Sequence, residues 1–156
     1  MTEEPIRVYT IPLFPLTVKT SDKNRKTGKP TYAYVGFNSY KIVHYTTQSK
    51  IMLAIKIHYK SIIDDFRAIP QDSYPIKIHI EMHKAYARAT WDLDNLMVLY
   101  RKAFWDTLKD LGIIIEDKIT CATGNSDLFY PVDDDKDRKL VFKLYKDDRV
   151  GLRKSN

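Results

Sequence analysis

The stretch Ile76-Lys-Ile-His-Ile-Glu-Met-His83 alternates without exception between apolar and polar side chains, a period of two that no helix satisfies. It specifies a strand that turns Ile76, Ile78, Ile80 and Met82 to a core and Lys77, His79, Glu81 and His83 to a wet face. A half-buried strand needs a cover. Leu96, Leu99, Ala103, Phe104, Leu108 and Leu111 recur at i, i+3 and i+4 spacing and predict an amphipathic helix from about residue 95 to 111. Asp92, Asp94 and Asn95 crowd its start, where they suit unpaired N–H groups and the positive dipole end, and Gly112 follows as a C-terminal cap. A first helix is expected over residues 40 to 59, with Asn38 or Ser39 as its cap. It turns Val43, Thr47, Ile51 and Ile55 inward and Lys41, Lys50, Lys56 and Lys60 outward.

Residues 6 to 10 alternate as an opening strand that Pro12 and Pro15 terminate, and residues 31 to 37 read as the returning strand of a long hairpin. Residues 19 to 30 between them hold five cations and one acid and no apolar residue, a solvated basic loop. Ile113 to Ile115 predict a brief buried strand, continued by residues 119 to 122, and residues 140 to 145 a closing strand. Connectors are expected at 61 to 73 and 84 to 91, a turn at Gly124-Asn125, an acidic loop at 133 to 137 and a flexible tail over 146 to 156. The fold class is α+β: one domain over residues 1 to 156, a mixed sheet packed against two main helices.

The chain of 156 residues carries 26 Lys+Arg against 20 Asp+Glu, a net charge of +6 with a pI near 9.2, which suits an acidic partner and a soluble domain. Apolar runs such as Ile51 to Ile55 fall far short of the roughly 18 residues that cross a bilayer, so no membrane partner is expected. The acidic start Met1 to Pro5 is unlike a secretory leader. The single Cys121 rules out an internal disulfide and a multi-thiolate zinc site, pointing to a reducing, cytoplasmic compartment. Without a glycine-rich phosphate loop, no nucleotide cofactor is expected.

Asp92-Leu-Asp94-Asn95 puts two acids where a strand hands over to a helix, and Glu116-Asp117 follows that helix. The Gly112 turn with Ile113 to Ile115 is expected to bring the chain partly back beside the strand that holds Met82, so the acids can meet. Converging carboxylates suit Mg2+, which takes hard oxygens and activates water for phosphodiester hydrolysis. The same residues also read as a cap, a first-turn acid and an exposed turn.

Taken together, Ile78-His-Ile-Glu-Met-His83, Asp92-Leu-Asp-Asn-Leu96, Lys102-Ala-Phe-Trp-Asp106 and Leu111-Gly-Ile-Ile-Ile-Glu-Asp117 resemble the RusA family of Holliday-junction resolvases. The opening Tyr9-Thr-Ile-Pro-Leu-Phe-Pro15, the basic loop and the first helix occur in the same order. The resemblance implies a RusA-like fold and a homodimeric, Mg2+-dependent endonuclease, Mn2+ substituting, that nicks four-way DNA junctions in recombination and repair. It implies a bacterial cytoplasm, with the gene belonging to the cell or to a phage. By match of position, Asp92, Asp94 and Asp117 are the metal-binding acids, with Asn95 and Glu116 beside them. The family's lysine one turn after DLDN is Val98 here, and an insertion of four residues returns Lys102 to that face as the residue that steadies a phosphate. The linker before Asp92 keeps only Lys84 and Arg88 where the family is arginine-rich. These departures leave two further readings: a non-catalytic relative that binds branched DNA, and a nuclease of flaps or other branches.

A junction is expected to lie against Lys19, Lys23, Arg25, Lys26 and Lys29 of the basic loop and against Lys84 and Arg88. Tyr86 and Trp91 flank the acids and suit stacking at a branch point, although Trp91 equally suits a core or dimer anchor. His79, Glu81 and His83 share a strand face, but alternate positions lie about 6.6–6.8 Å apart and converge poorly on one ion.

Overall fold

The computed structural model describes residues 3–13, 17–34, 45–85, 93–116, 118 and 121–149. In chain order these form β1 (Arg7–Pro12), β2 (Thr17–Lys23), β3 (Pro30–Tyr34), α1 (Tyr45–Ile62), β4 (Ile76–Ala85), α2 (Leu93–Asp110), β5 (Ala122–Val132) and β6 (Lys139–Lys146). One-turn 3-10 helices at Gln71–Ser73 and Asp135–Asp137 punctuate the connections. The main sheet has the order β1-β6-β4-β5, with β4 and β5 parallel and the other pairs antiparallel. Helix α2 is the crossover between the parallel pair. Strands β2 and β3 form a separate hairpin, and β2 packs against α1.

The inner half of the alternation in β4 is realised, with Ile76, Ile78, Ile80 and Met82 buried, but the other face is not the wet one expected: Glu81 is buried as well, and Lys77, His79 and His83 are half-buried. Ile78, Ile80 and Met82 stand opposite Leu144, Phe142 and Leu140 of β6, so two matched strands present one apolar surface. Both helices cover that surface. Helix α1 contributes Thr47, Ile51, Ile55 and Tyr59, and α2 contributes Met97, Tyr100, Phe104 and Leu108. Phe104 stacks on Phe142 at 3.8 Å between ring centroids, and Tyr59 meets both edge-on at 5.9 and 5.7 Å. The buried Tyr59 hydroxyl donates to the Tyr100 carbonyl oxygen at 3.0 Å, so no polar group is stranded there.

Helix α2 ends as expected. Gly112 takes φ +70, its N–H donates to Lys109 O, and Ile113 N–H donates to Leu108 O, the paired bonds of a Schellman cap. That cap overturns the expected strand at Ile113 to Ile115. The N–H groups of Ile113 and Ile114 turn back to Leu108 O and cannot join a ladder, though both side chains are buried.

Four other expectations change. Helix α1 runs on to Ile62, and residues 40–44 lie outside the described residues. Gly124 and Asn125 sit within the eleven-residue β5 and not in a turn. The basic loop is half strand: residues 19–23 and 30 belong to the paired Thr17–Lys23 and Pro30–Tyr34, and residues 24–29 turn. There Asn24 Oδ1 accepts from the N–H groups of Lys26 and Thr27, and Gly28 takes φ +65. Residues 146 to 149 are not the flexible tail expected, because Lys146 closes β6 and Asp147 is buried beneath Arg149; residues 150–156 lie outside the described residues.

Candidate metal centre and nucleic-acid interface

Asp92, Asp117, Tyr86, Arg88 and Trp91 lie outside the described residues, as do the side chains of Asp94 and Asn95. The backbone of Asp94 and Asn95 forms the first turn of α2, just beyond the C-terminal end of β4. Glu116 is elsewhere. The neighbouring Ile115 N–H donates to the Tyr74 hydroxyl at 3.2 Å, and Ile76 N–H donates to Cys121 O at 2.7 Å, so the turn between α2 and β5 sits at the foot of β4. The helix runs opposite to β5: Arg101 Nη2 lies 3.4 Å from Asp127, while Trp105, one turn on, donates Nε1–H to Asn125 Oδ1 at 3.0 Å. The first turn of α2 and Glu116 are therefore at opposite ends of an 18-residue helix, about 27 Å long at 1.5 Å per residue. The route expected beside Met82 is taken by β5, whose Phe129 pairs with Met82. One chain does not bring Asp94 and Glu116 together. Glu116 pairs with Lys118 at 3.1 Å.

Lys102 lies midway along α2. With Val98 one turn before it, it lines a cavity of about 490 Å³ between α2 and the start of β5, as a four-residue shift on one helix face requires. Arg101, Trp105 and Asn125 complete the polar part of that wall. Lys19, Lys23, Arg25, Lys26 and Lys29 are all exposed on the β2–β3 hairpin. Lys84 is half-buried near the end of β4, opposite Pro131.

His79, Glu81 and His83 stand in line on the outer face of the sheet, each engaged with a different partner. His79 Nδ1 lies 2.7 Å from Ser126 Oγ. His83 stacks on Tyr130 at 4.9 Å. Glu81 is buried between Lys143 Nζ at 2.7 Å and His83 Nε2 at 3.5 Å. Burial pushes the Glu81 carboxyl up, but the Lys143 ammonium and His83 more than reverse this and leave it below the ordinary carboxylate range. Among the described residues no group of three or more His, Cys, Asp or Glu is arranged to hold a metal ion.

Sequence reasoning missed three polar contacts around β5: Arg101 with Asp127, Trp105 with Asn125, and Asp147 with Thr123 and Arg149. Only Asp147 and Arg149 are near in sequence, so spacing carried no signal for the others. No protein-family model and no curated protein matches the chain.

Proposed function

We propose that this chain is a RusA-like, Mg2+-dependent endonuclease that resolves four-way DNA junctions, acting in the cytoplasm as a homodimer. The observation that carries the reading is the Asp92-Leu-Asp94-Asn95 segment between a buried central strand and an amphipathic helix, with Glu116-Asp117 directly after that helix's glycine cap. Asp92, Asp94 and Asp117 hold the ion, with Asn95 and Glu116 beside them. The donor set is carboxylate and carboxamide oxygen throughout, which fits a hard cation. Bound Mg2+ supplies acidified water and neutralises charge on the cleaved phosphate. The acids at the start of α2 are further favoured by its positive dipole end.

With Asp94 and Glu116 at opposite ends of α2 in one chain, this reading requires a dimer in which two copies complete each acid site. In such a dimer a two-fold axis would set the start of one α2 beside the α2–β5 turn of the other, matching a four-way junction that is itself two-fold. The hairpin cations and Lys84 then meet phosphates away from the cut. Val98 and the sparse arginines before Asp92 favour a second reading, a non-catalytic protein that binds branched DNA.

A labelled synthetic four-way junction, incubated with Mg2+ and with EDTA, separates the readings. Symmetric nicks that EDTA abolishes are expected. Binding without nicks supports the second reading, and better cutting of flaps assigns a different branched substrate. Asp94→Asn is expected to stop cutting while leaving junction binding intact, and normal cutting by that variant removes Asp94 from the site.

A further inference from the structure

The main sheet ends on β1 at one side and on β5 at the other, and the two edges are not alike. Beside β1 the chain closes in: Arg7 Nη1 donates to Arg67 O, and His58 Nε2 lies 2.6 Å from Pro12 O. Strand β5 has eleven residues against six in β1, and Asn125, Ser126, Leu128, Tyr130 and Pro131 along it are exposed. Among the described residues no strand pairs with its outer side. The backbone groups on that side follow from the ladder. Ile76 N–H donates toward β5, to Cys121 O, while Pro75 O accepts from Asp147 on the β6 side. Alternation then sends the bonds of Ile78, Ile80 and Met82 to β5 and those of Lys77, His79 and Glu81 to β6. A residue in a parallel ladder bonds to the neighbours of the one opposite it. Asn125, Asp127 and Phe129, opposite Ile78, Ile80 and Met82, therefore turn their own N–H and C=O outward. Pro131, opposite Lys84, has its ring nitrogen on the outer side too, where a missing N–H breaks no bond to β4. A long edge with Leu128 49% and Tyr130 39% exposed is a template for another strand.

We propose that β5 pairs antiparallel with the β5 of a second copy across a two-fold axis, joining two four-stranded sheets into one. Direction selects the occupant. Helix α2 runs opposite to β5, so a reversed partner strand brings its own foot, where Glu116 lies, to the same end as the start of α2. That choice of a second copy rests on the two-chain acid site proposed above; the open edge does not. The axis falls on Ser126. Centred on Asp127, the pairing sets two like carboxylates directly opposite each other, which is destabilising. Centred on Leu128, it sets Asn125 opposite the partner's Pro131, which has no N–H to give. Centred on Ser126, it sets Asn125 opposite the partner's Asp127, and does so twice by symmetry. Trp105 Nε1–H already occupies Asn125 Oδ1 at 3.0 Å, which leaves the carboxamide Nδ2 to donate to that carboxylate.

The test is sedimentation of the full chain at micromolar concentration in EDTA, without DNA, so that cutting plays no part. The wild type is expected to sediment as a dimer. Asn125→Asp can still accept from Trp105 but sets two pairs of like charges across the axis, and is expected to raise the dissociation constant about tenfold at 0.1 M salt. Leu53→Lys, at a position equally exposed on α1, is expected to leave it unchanged. In a Cys121→Ser background, Ser126→Cys stands opposite its own copy at about 4.5 Å between Cα atoms, within disulfide reach. Mild oxidation is expected to link it into a dimer and to leave Leu128→Cys, two positions off the axis, unlinked. A monomeric wild type overturns the proposal, as does a dimer that Asn125→Asp does not weaken and Ser126→Cys does not link. Linkage of Leu128→Cys in place of Ser126→Cys overturns the register. A linked dimer that cuts no junction in Mg2+ leaves this interface standing and removes the nuclease reading, and cutting by a dimer joined elsewhere does the reverse.

Discussion

Asp147 shows how much one side chain does at the junction of three strands. Its carboxylate accepts from Arg149 Nε and Nη2, both at 2.8 Å, and from the Thr123 hydroxyl at 2.6 Å, while its N–H donates to Pro75 O at 2.8 Å. It thereby ties the end of β6 to the start of β5 and the approach to β4. The Arg149 guanidinium, aided by Thr123, holds the carboxyl well below the usual range against the opposing effect of burial. Asp147→Ala releases the exposed Arg149 guanidinium to solvent and leaves the Thr123 hydroxyl only Ile76 O at 3.2 Å, and it is expected to cost about 1 kcal/mol, read as a lowered midpoint in urea. The pH dependence follows from the sign of the shift. A carboxyl depressed in the folded state and near 3.9 in the unfolded chain contributes stability above about pH 4 and loses it as pH falls further toward the folded value. The gap between wild type and Asp147→Asn is therefore expected to narrow from pH 5 to pH 3; a constant gap refutes the assignment. None of this was legible in Asp147-Asp148-Arg149, which reads as a tail because Thr123 is 24 positions away.

At the scale of elements, legibility followed burial on one face. Strand β4 announces itself because its four inward residues all meet the core, and α2 because Phe104 and Leu108 do the same at helical spacing. Strand β5 is silent: Thr123, Asn125, Ser126 and Asp127 each face a partner distant in sequence, namely Asp147, Trp105, His79 and Arg101. A run of polar residues around a glycine then looks like a turn. The β2–β3 hairpin was half legible. Its cations and its returning strand β3 were evident, but β2 was hidden in the basic run, and β3 pairs with it and not with the opening strand β1, which joins β6 in the main sheet. Exposed charges at 25, 26 and 29 serve no packing role there, so Arg25→Ala, Lys26→Ala and Lys29→Ala combined are expected to change unfolding free energy by no more than about 0.5 kcal/mol. Junction affinity at low salt is expected to fall, with the salt slope reduced by about 0.9 for each phosphate lost. An unchanged slope takes the hairpin out of the DNA interface.

At the scale of the molecule, the decisive distance is the length of α2. Motif order alone places DLDN before the helix and Glu116-Asp117 after it, and it is silent on which way the chain then runs. The Schellman turn and the contact of Ile115 with Tyr74 put Glu116 at the foot of β4, with the whole helix between it and Asp94. If two chains complete each acid site, two defects carried on different chains complement. Asp94→Asn and Asp117→Asn homodimers are each inactive on this account. When they are mixed and exchanged, half of the dimers are mixed, and each of these concentrates both lesions in one site and leaves the other whole. Activity is then expected to return to about a quarter of wild type by two-fold statistics, alongside a solution mass near twice 18.3 kDa. If each site draws its acids from a single chain, every site in the mixed dimer keeps one lesion and the mixture stays inactive.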